Sequence, residues 1–188
     1  MDILLLLLGT CAAVMLLRNP IKRAPWLFYL LAFALDIILL LGTAYGWGEV
    51  VRGPFAFIMR KGALGVAVFI IVMYIGVLPR KSRVSLWLRP IRAELSIVAC
   101  ILIAGHMLTY LLVYVSAMSA GSRPKDAVLA SFVVALCLLV LALVLGVTSL
   151  RSIKHHMKAK KWRKIQKLAY VFYALILVHL LLMLAPAA

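Results

Sequence analysis

Six apolar runs, separated by short basic or turn-forming stretches, give this chain its pattern. A helix needs about 20 apolar residues to cross the hydrocarbon of a bilayer, and the runs at 2–17, 26–47, 55–78, 94–118, 127–150 and 166–186 are read as six membrane-spanning helices. The first run is the shortest. Its Leu8-Gly9-Thr10-Cys11 has a faint look of a lipoprotein cleavage box, but Asp2 stands where a secretory signal carries positive charge, so a retained span is expected. Pro20, Pro25, Pro54, Pro79, Pro90 and Pro124 all fall at span ends or in loops, where a missing backbone N–H does least harm. Gly42 and Gly46 form a Gly-x-x-x-Gly pair expected to let another helix approach closely. Between Arg80 and Arg92, charges alternate with Val84, Leu86, Trp87, Leu88 and Ile91, a pattern expected to lie flat among lipid headgroups. The fold class is thus all-α, a polytopic integral membrane bundle over 1–188 with residues 1–25 as an additional N-terminal span.

Composition supports lipid as the solvent: 66% of the 188 residues are apolar, 14% are charged, and the mean hydropathy is +1.13. The net charge of +16 raises the question of nucleic acid. The 21 Lys and Arg answer it, because they sit in short clusters between apolar runs, which is how topology is written. No nucleic-acid partner is expected. The first, third and fifth loops hold three, five and eight of these cations, and the second and fourth connections hold the other five. The positive-inside rule then places both termini outside, with Trp26, Trp87 and Trp162 at the cytoplasmic interface and Trp47 at the outer one.

Little soluble-enzyme chemistry survives this composition. Cys11, Cys100 and Cys137 lie in apolar segments without metal-ligand spacing, and read as small packing residues. The five acids, Asp2, Asp36, Glu49, Glu94 and Asp126, offer no acid/base pair on one helix face. No glycine-rich dinucleotide fingerprint is present.

Two histidines carry the chemistry that remains. His179 lies in an apolar helix and needs a partner there, since an unpaired polar group in lipid costs a few kcal/mol, and His106 is the candidate. Glu94 precedes His106 by twelve residues, and Lys167 precedes His179 by twelve. At 1.5 Å per residue both imidazoles lie about 18 Å along their helices. Two histidines at equal depth can clamp a flat macrocycle by axial ligation to iron. Each can equally serve as a hydrogen bond between helices, and spacing alone leaves both readings open. Gly105 would allow close approach of a porphyrin, and Tyr110 and Phe172 would line its pocket.

The run Trp162-Arg163-Lys164-Ile165-Gln166-Lys167-Leu168-Ala169-Tyr170, followed by His179, resembles the tryptophan, leucine-histidine, tyrosine and later histidine pattern of the ferric reductase-like transmembrane family. Thr148-Ser149, the lead-in from Arg89 to Ile97, and His106 with Tyr110 extend the likeness over about 55–185. It is nearest to the haem-binding membrane subunits of bacterial periplasmic methionine sulfoxide reductase systems. The resemblance implies a b-type cytochrome of the bacterial cytoplasmic membrane, with His106 and His179 at haem-ligand positions. Gln166 departs from the pattern, standing where the family has a histidine. One haem b is therefore expected, toward the outer half, and a second is not.

The remaining polar residues refine this picture. Asp36, ten residues into the second helix, is a candidate proton relay, or a protonated carboxyl bonding a neighbouring helix or pairing with Arg60 or a histidine. Arg60 would neutralise haem propionates, or else snorkel to headgroups beside Lys61. His155 and His156 are adjacent, point about 100° apart on a helix, and are read as solvated. The eight-cation loop is a topology signal and a membrane-lipid contact, with docking of an acidic flavoprotein as the sharper alternative. The expectation is an electron-transfer subunit that takes electrons from a quinol or a cytoplasmic flavoprotein to an acceptor, in the periplasm or within a membrane complex, at the outer face. Its competitor is a non-redox scaffold subunit derived from such a cytochrome.

Overall fold

The computed structural model describes residues 3–59, 61–79, 81–122 and 125–184. Every regular element among them is helical. In chain order these are α1 (Ile3–Leu16), α2 (Arg18–Arg23), α3 (Pro25–Ala44), α4 (Gly48–Arg52), α5 (Pro54–Met59), α6 (Ala63–Val77), α7 (Arg83–Leu88), α8 (Arg92–Ser119), α9 (Asp126–Ser149), α10 (Arg151–His156), α11 (Ala159–Gln166) and α12 (Leu168–Leu184). A short 3-10 turn, Arg89–Ile91, joins α7 to α8.

Four helical stretches are long and apolar enough to cross a membrane: Pro25–Ala44, Arg83–Ser119, Asp126–Ser149 and Ala159–Met183. The helices α1 and α6 are apolar but have only 14 and 15 residues, about 21–23 Å against a hydrocarbon core near 30 Å. The third apolar run is not one continuous helix. It breaks after α5 because Gly62 takes a left-handed backbone (φ +66°), a conformation that glycine adopts without steric cost.

The chain divides into two compact units, Met1–Thr109 and Tyr110–Ala188. In the first, α3 buries one stripe, Ala32, Asp36, Leu39 and Gly42, at helical spacing. Ala32 and Leu39 join Met59 and Leu102 in a core flanked by Phe55, Leu64 and Val98. The Gly42/Gly46 pair resolves into two different roles. Val50 of α4 packs over Gly42 so closely that a Cβ there would overlap it, whereas Gly46 lies past the end of α3 as a left-handed turn residue (φ +67°) with open space beside it. Ser82 caps α7 by accepting from the Ser85 N–H at 3.2 Å, and Ser85 in turn accepts from Arg89 Nε at 2.7 Å. Arg18 stacks over Trp87, 5.0 Å from the ring centroid, and donates Nε to the Trp87 carbonyl at 2.7 Å. Arg92 lies against the last turns of α6, donating Nε to the Val72 carbonyl at 3.2 Å, where a cation meets the negative end of the helix dipole.

In the second unit α9 presents Ser131, Ala135, Leu138, Ala142, Leu145 and Ser149 as a buried seam of alternating four- and three-residue steps. Its partner is α12. The alanines permit close approach, and Phe172 of α12 is 2% exposed. Tyr114 of α8 meets Phe132 of α9 edge-on, with centroids 5.4 Å apart. Only 6% of the Ala159–Met183 window is fully buried, and Tyr170, Val171, Leu177, Val178, Leu180 and Leu181 are exposed, the surface expected where lipid is the solvent.

Candidate functional site

In the first unit, α3 and α8 bring Asp36 against Gly105, the residue before His106. Asp36 is 5% exposed and its Oδ1 has no hydrogen-bond partner. A Cβ at Gly105 would fall inside the Asp36 carboxyl group. The face that Gly105 leaves bare is thus filled by Asp36, not held open for a porphyrin as expected. Thr109 Oγ1 donates to the Gly105 carbonyl at 2.8 Å and is itself buried.

His106 lies on the bend between α5 and α6. A Cβ at Gly62 would come 3.1 Å from His106 Cγ and 3.3 Å from its Nδ1, so the glycine serves both the left-handed turn and the imidazole. Composition alone could not reveal this double use. Arg60 lies outside the described residues.

Further toward the N-terminal end of α8, Tyr29 of α3 donates its hydroxyl to Oε2 of Glu94, a carboxylate only 3% exposed. The sequence reading used Glu94 as a depth marker and did not see its partner.

In the second unit, His179 is held by α9. Its Nδ1 lies 3.1 Å from the Ser131 carbonyl and 2.9 Å from the Ser131 hydroxyl. A carbonyl only accepts, so the Ser131 carbonyl contact is a hydrogen bond in the tautomer that carries its proton on Nδ1 and its lone pair on Nε2. Ser131 is 1% exposed, and it supplies the partner that the sequence reading sought in His106. One signal was available. Ser131 and His179, like Thr148 and Trp162, are symmetric about position 155, as the antiparallel pairing of α9 with the chain that returns beside it requires.

At the other end of α9, Trp162 Nε1 donates to the Thr148 carbonyl at 2.9 Å. Gln166 Nε2 donates to Thr148 Oγ1 at 3.0 Å. Gln166 therefore works as a bond between helices. Phe172 touches Tyr173 edge-on, with centroids 5.7 Å apart, and Tyr110 lies 6.2 Å from Tyr114. His156 Nδ1 donates to the Ser152 carbonyl at 2.6 Å, and its ring is turned 79° from that of His155. Among the described residues Cys11, Cys100 and Cys137 form no disulfide. Among the described residues no three His, Cys, Asp or Glu side chains gather to hold a metal ion unaided.

Against known families, residues 61–177 match the ferric reductase like transmembrane component. The chain belongs to this family. It is accordingly a multi-pass membrane protein of the ferric reductase-like kind. The matched segment holds Gly62, Asp126, Thr148, Gln166 and His106, and ends two residues before His179. A curated protein of Treponema pallidum (strain Nichols), described as uncharacterized, is 29% identical over 197 residues; the alignment covers 100% of this chain and 53% of that protein. The chain thus spans about half the length of that relative. No solved structure matches it.

The haem that such a family implies was tested against the local geometry of each histidine. Protonated Nδ1 bound to a helix carbonyl, with Nε2 bare, is the orientation that outer-shell partners impose on metal-ligating histidines. His179 fits that requirement through Ser131. His106 sits against a glycine that spares it a side chain.

Proposed function

We propose that this ferric reductase-like chain is a b-type cytochrome subunit of a bacterial cytoplasmic membrane, in which His106 and His179 would hold one haem. The observation that carries the reading is the Ser131 clasp on His179 Nδ1, which leaves Nε2 as the nitrogen presented for iron. Haem bound there supplies one-electron transfer. Ser131 fixes the tautomer and ring plane of His179, and Gly62 fixes the place of His106. Asp36, buried against Gly105, the residue before His106, would take up a proton there. Electrons would come from a quinol or a cytoplasmic flavoprotein and leave at the outer face. In this reading α1 and α6 complete six spans, both termini lie outside, and the chain serves as the membrane subunit of a methionine sulfoxide reductase system.

The test is the reduced-minus-oxidised absorbance spectrum of the purified protein, with iron measured in parallel. Haem b bands and about one iron per chain are expected, lost in His106→Ala and in His179→Ala. A colourless protein with both histidines intact refutes the reading.

A second reading, a non-redox scaffold subunit, draws on Gln166. Where the family resemblance has a histidine, this chain has a residue used to bind Thr148 at 3.0 Å. Stoichiometric iron decides between the two.

A further inference from the structure

A recess of about 350 Å³ opens at the end of α9 where α10 turns into α11, lined by Lys154, Met157, Ala159, Trp162 and Arg163. We infer that it is a binding site for an anionic phospholipid, the headgroup phosphate held by Lys154 and Arg163 and the glycerol and upper acyl chain resting on Met157 and Trp162.

The walls are built, not incidental. Trp162 is fixed by its Nε1 bond to the Thr148 carbonyl, 2.9 Å, and Lys154 Nζ sits 4.6 Å from the centre of the same ring. Arg163 folds back along its helix, donating Nε to the Ala159 carbonyl at 3.3 Å, a bond that does not use its terminal nitrogens. Two cations at the rim of an otherwise apolar hollow select a ligand that is anionic at one end and apolar at the other.

Charge balance points the same way. Residues 151–167 carry eight Lys and Arg, and from Ala127 to Ala188 there is no Asp or Glu. The one acid of the second unit, Asp126, begins α9, a helix of 24 residues, and so lies about 36 Å from the recess. These cations therefore take their counter-charge from outside the second unit. The recess lies at the ends of two apolar helices long enough to span a bilayer, where the nearest dense source of anions is the headgroup layer.

The experiment uses the full chain in detergent, with native mass spectrometry of lipid adducts as the readout. Phosphatidylglycerol is titrated against phosphatidylcholine, and circular dichroism confirms helix content in each variant. One phosphatidylglycerol should bind at least tenfold more tightly than phosphatidylcholine. Lys154→Gln/Arg163→Gln should abolish that preference, Lys154→Arg/Arg163→Lys should keep it, and Lys160→Gln/Lys161→Gln should leave it unchanged. Equal binding of the two lipids overturns the proposal, as does equal loss in the Lys160/Lys161 variant, which would mean diffuse attraction. Displacement of the lipid by millimolar inorganic phosphate would mean a small-anion site instead. Retained lipid preference in Lys154→Gln/Arg163→Gln would overturn it as well, because the phosphate would then be held elsewhere.

Discussion

Gly105→Ala tests the contact between α3 and α8 most directly. Its new methyl group would fall inside the Asp36 carboxyl, so the helices must part or Asp36 must leave the stripe it shares with Ala32 and Leu39. Overpacking of this kind costs about 1–3 kcal/mol. Asp36→Ala removes the closest part of the obstacle, the carboxyl group, and with it an oxygen, Oδ1, that is buried without a partner, a group whose desolvation costs about 1–3 kcal/mol. In the Asp36→Ala background the carboxyl contacts are gone while the Cβ of residue 36, 2.6 Å from the new methyl group, remains, so Gly105→Ala should cost less than in the native background but not nothing. The coupling free energy between the two sites is then at most about 1–3 kcal/mol. Unfolding of the four proteins of the cycle, followed by circular dichroism as sodium dodecyl sulfate is titrated into mixed micelles, measures it. An equal penalty for Gly105→Ala in both backgrounds would refute the packing argument.

Three further outcomes follow from single side chains. Ser131→Ala removes the hydroxyl partner of His179 Nδ1 and leaves the backbone carbonyl; haem affinity should fall about tenfold, measured by haem retention on gel filtration, with helix content unchanged. Gly62→Ala places a methyl group at a φ of +66° and 3.1 Å from His106 Cγ, so it should destabilise by about 1–2 kcal/mol and shift the haem spectrum if His106 is a ligand. Tyr29→Phe strands the buried Glu94 carboxylate of one donor and should cost about 1.5–3 kcal/mol in the same detergent titration.

The long helices were legible because hydropathy alone decides them. The apolar runs at 94–118 and 127–150 became α8 and α9 within two residues at each end. The run at 55–78 was misread because Lys61-Gly62 carries no obligatory break: glycine is tolerated inside membrane helices, and only the left-handed φ, a product of tertiary packing on His106, stops the helix. The Gly42/Gly46 spacing misled for a related reason. A glycine four residues from another is a packing motif only while the helix lasts, and α3 ends at Ala44. Around the histidines, residue types at the right depth were visible, but their partners were not. Ser131 lies 48 positions from His179 and Glu94 65 from Tyr29, and neither pairing has a local signature. Gln166 was recognised as a departure from the family pattern; that it bonds Thr148 needed the fold.

The antiparallel pairing of α9 with the returning chain is pinned at two heights. A seam of alanine and leucine between helices in lipid has almost no preferred setting, because one apolar side chain slides past another without exposing anything to water. Ser131 grips the far end and Thr148 the near end, and a slip by one turn, about 5.4 Å, would release His179, Trp162 and Gln166 together. Two such latches turn a smooth track into a ruler, so the altitude of the imidazole above the basic surface is set by counting residues along α9.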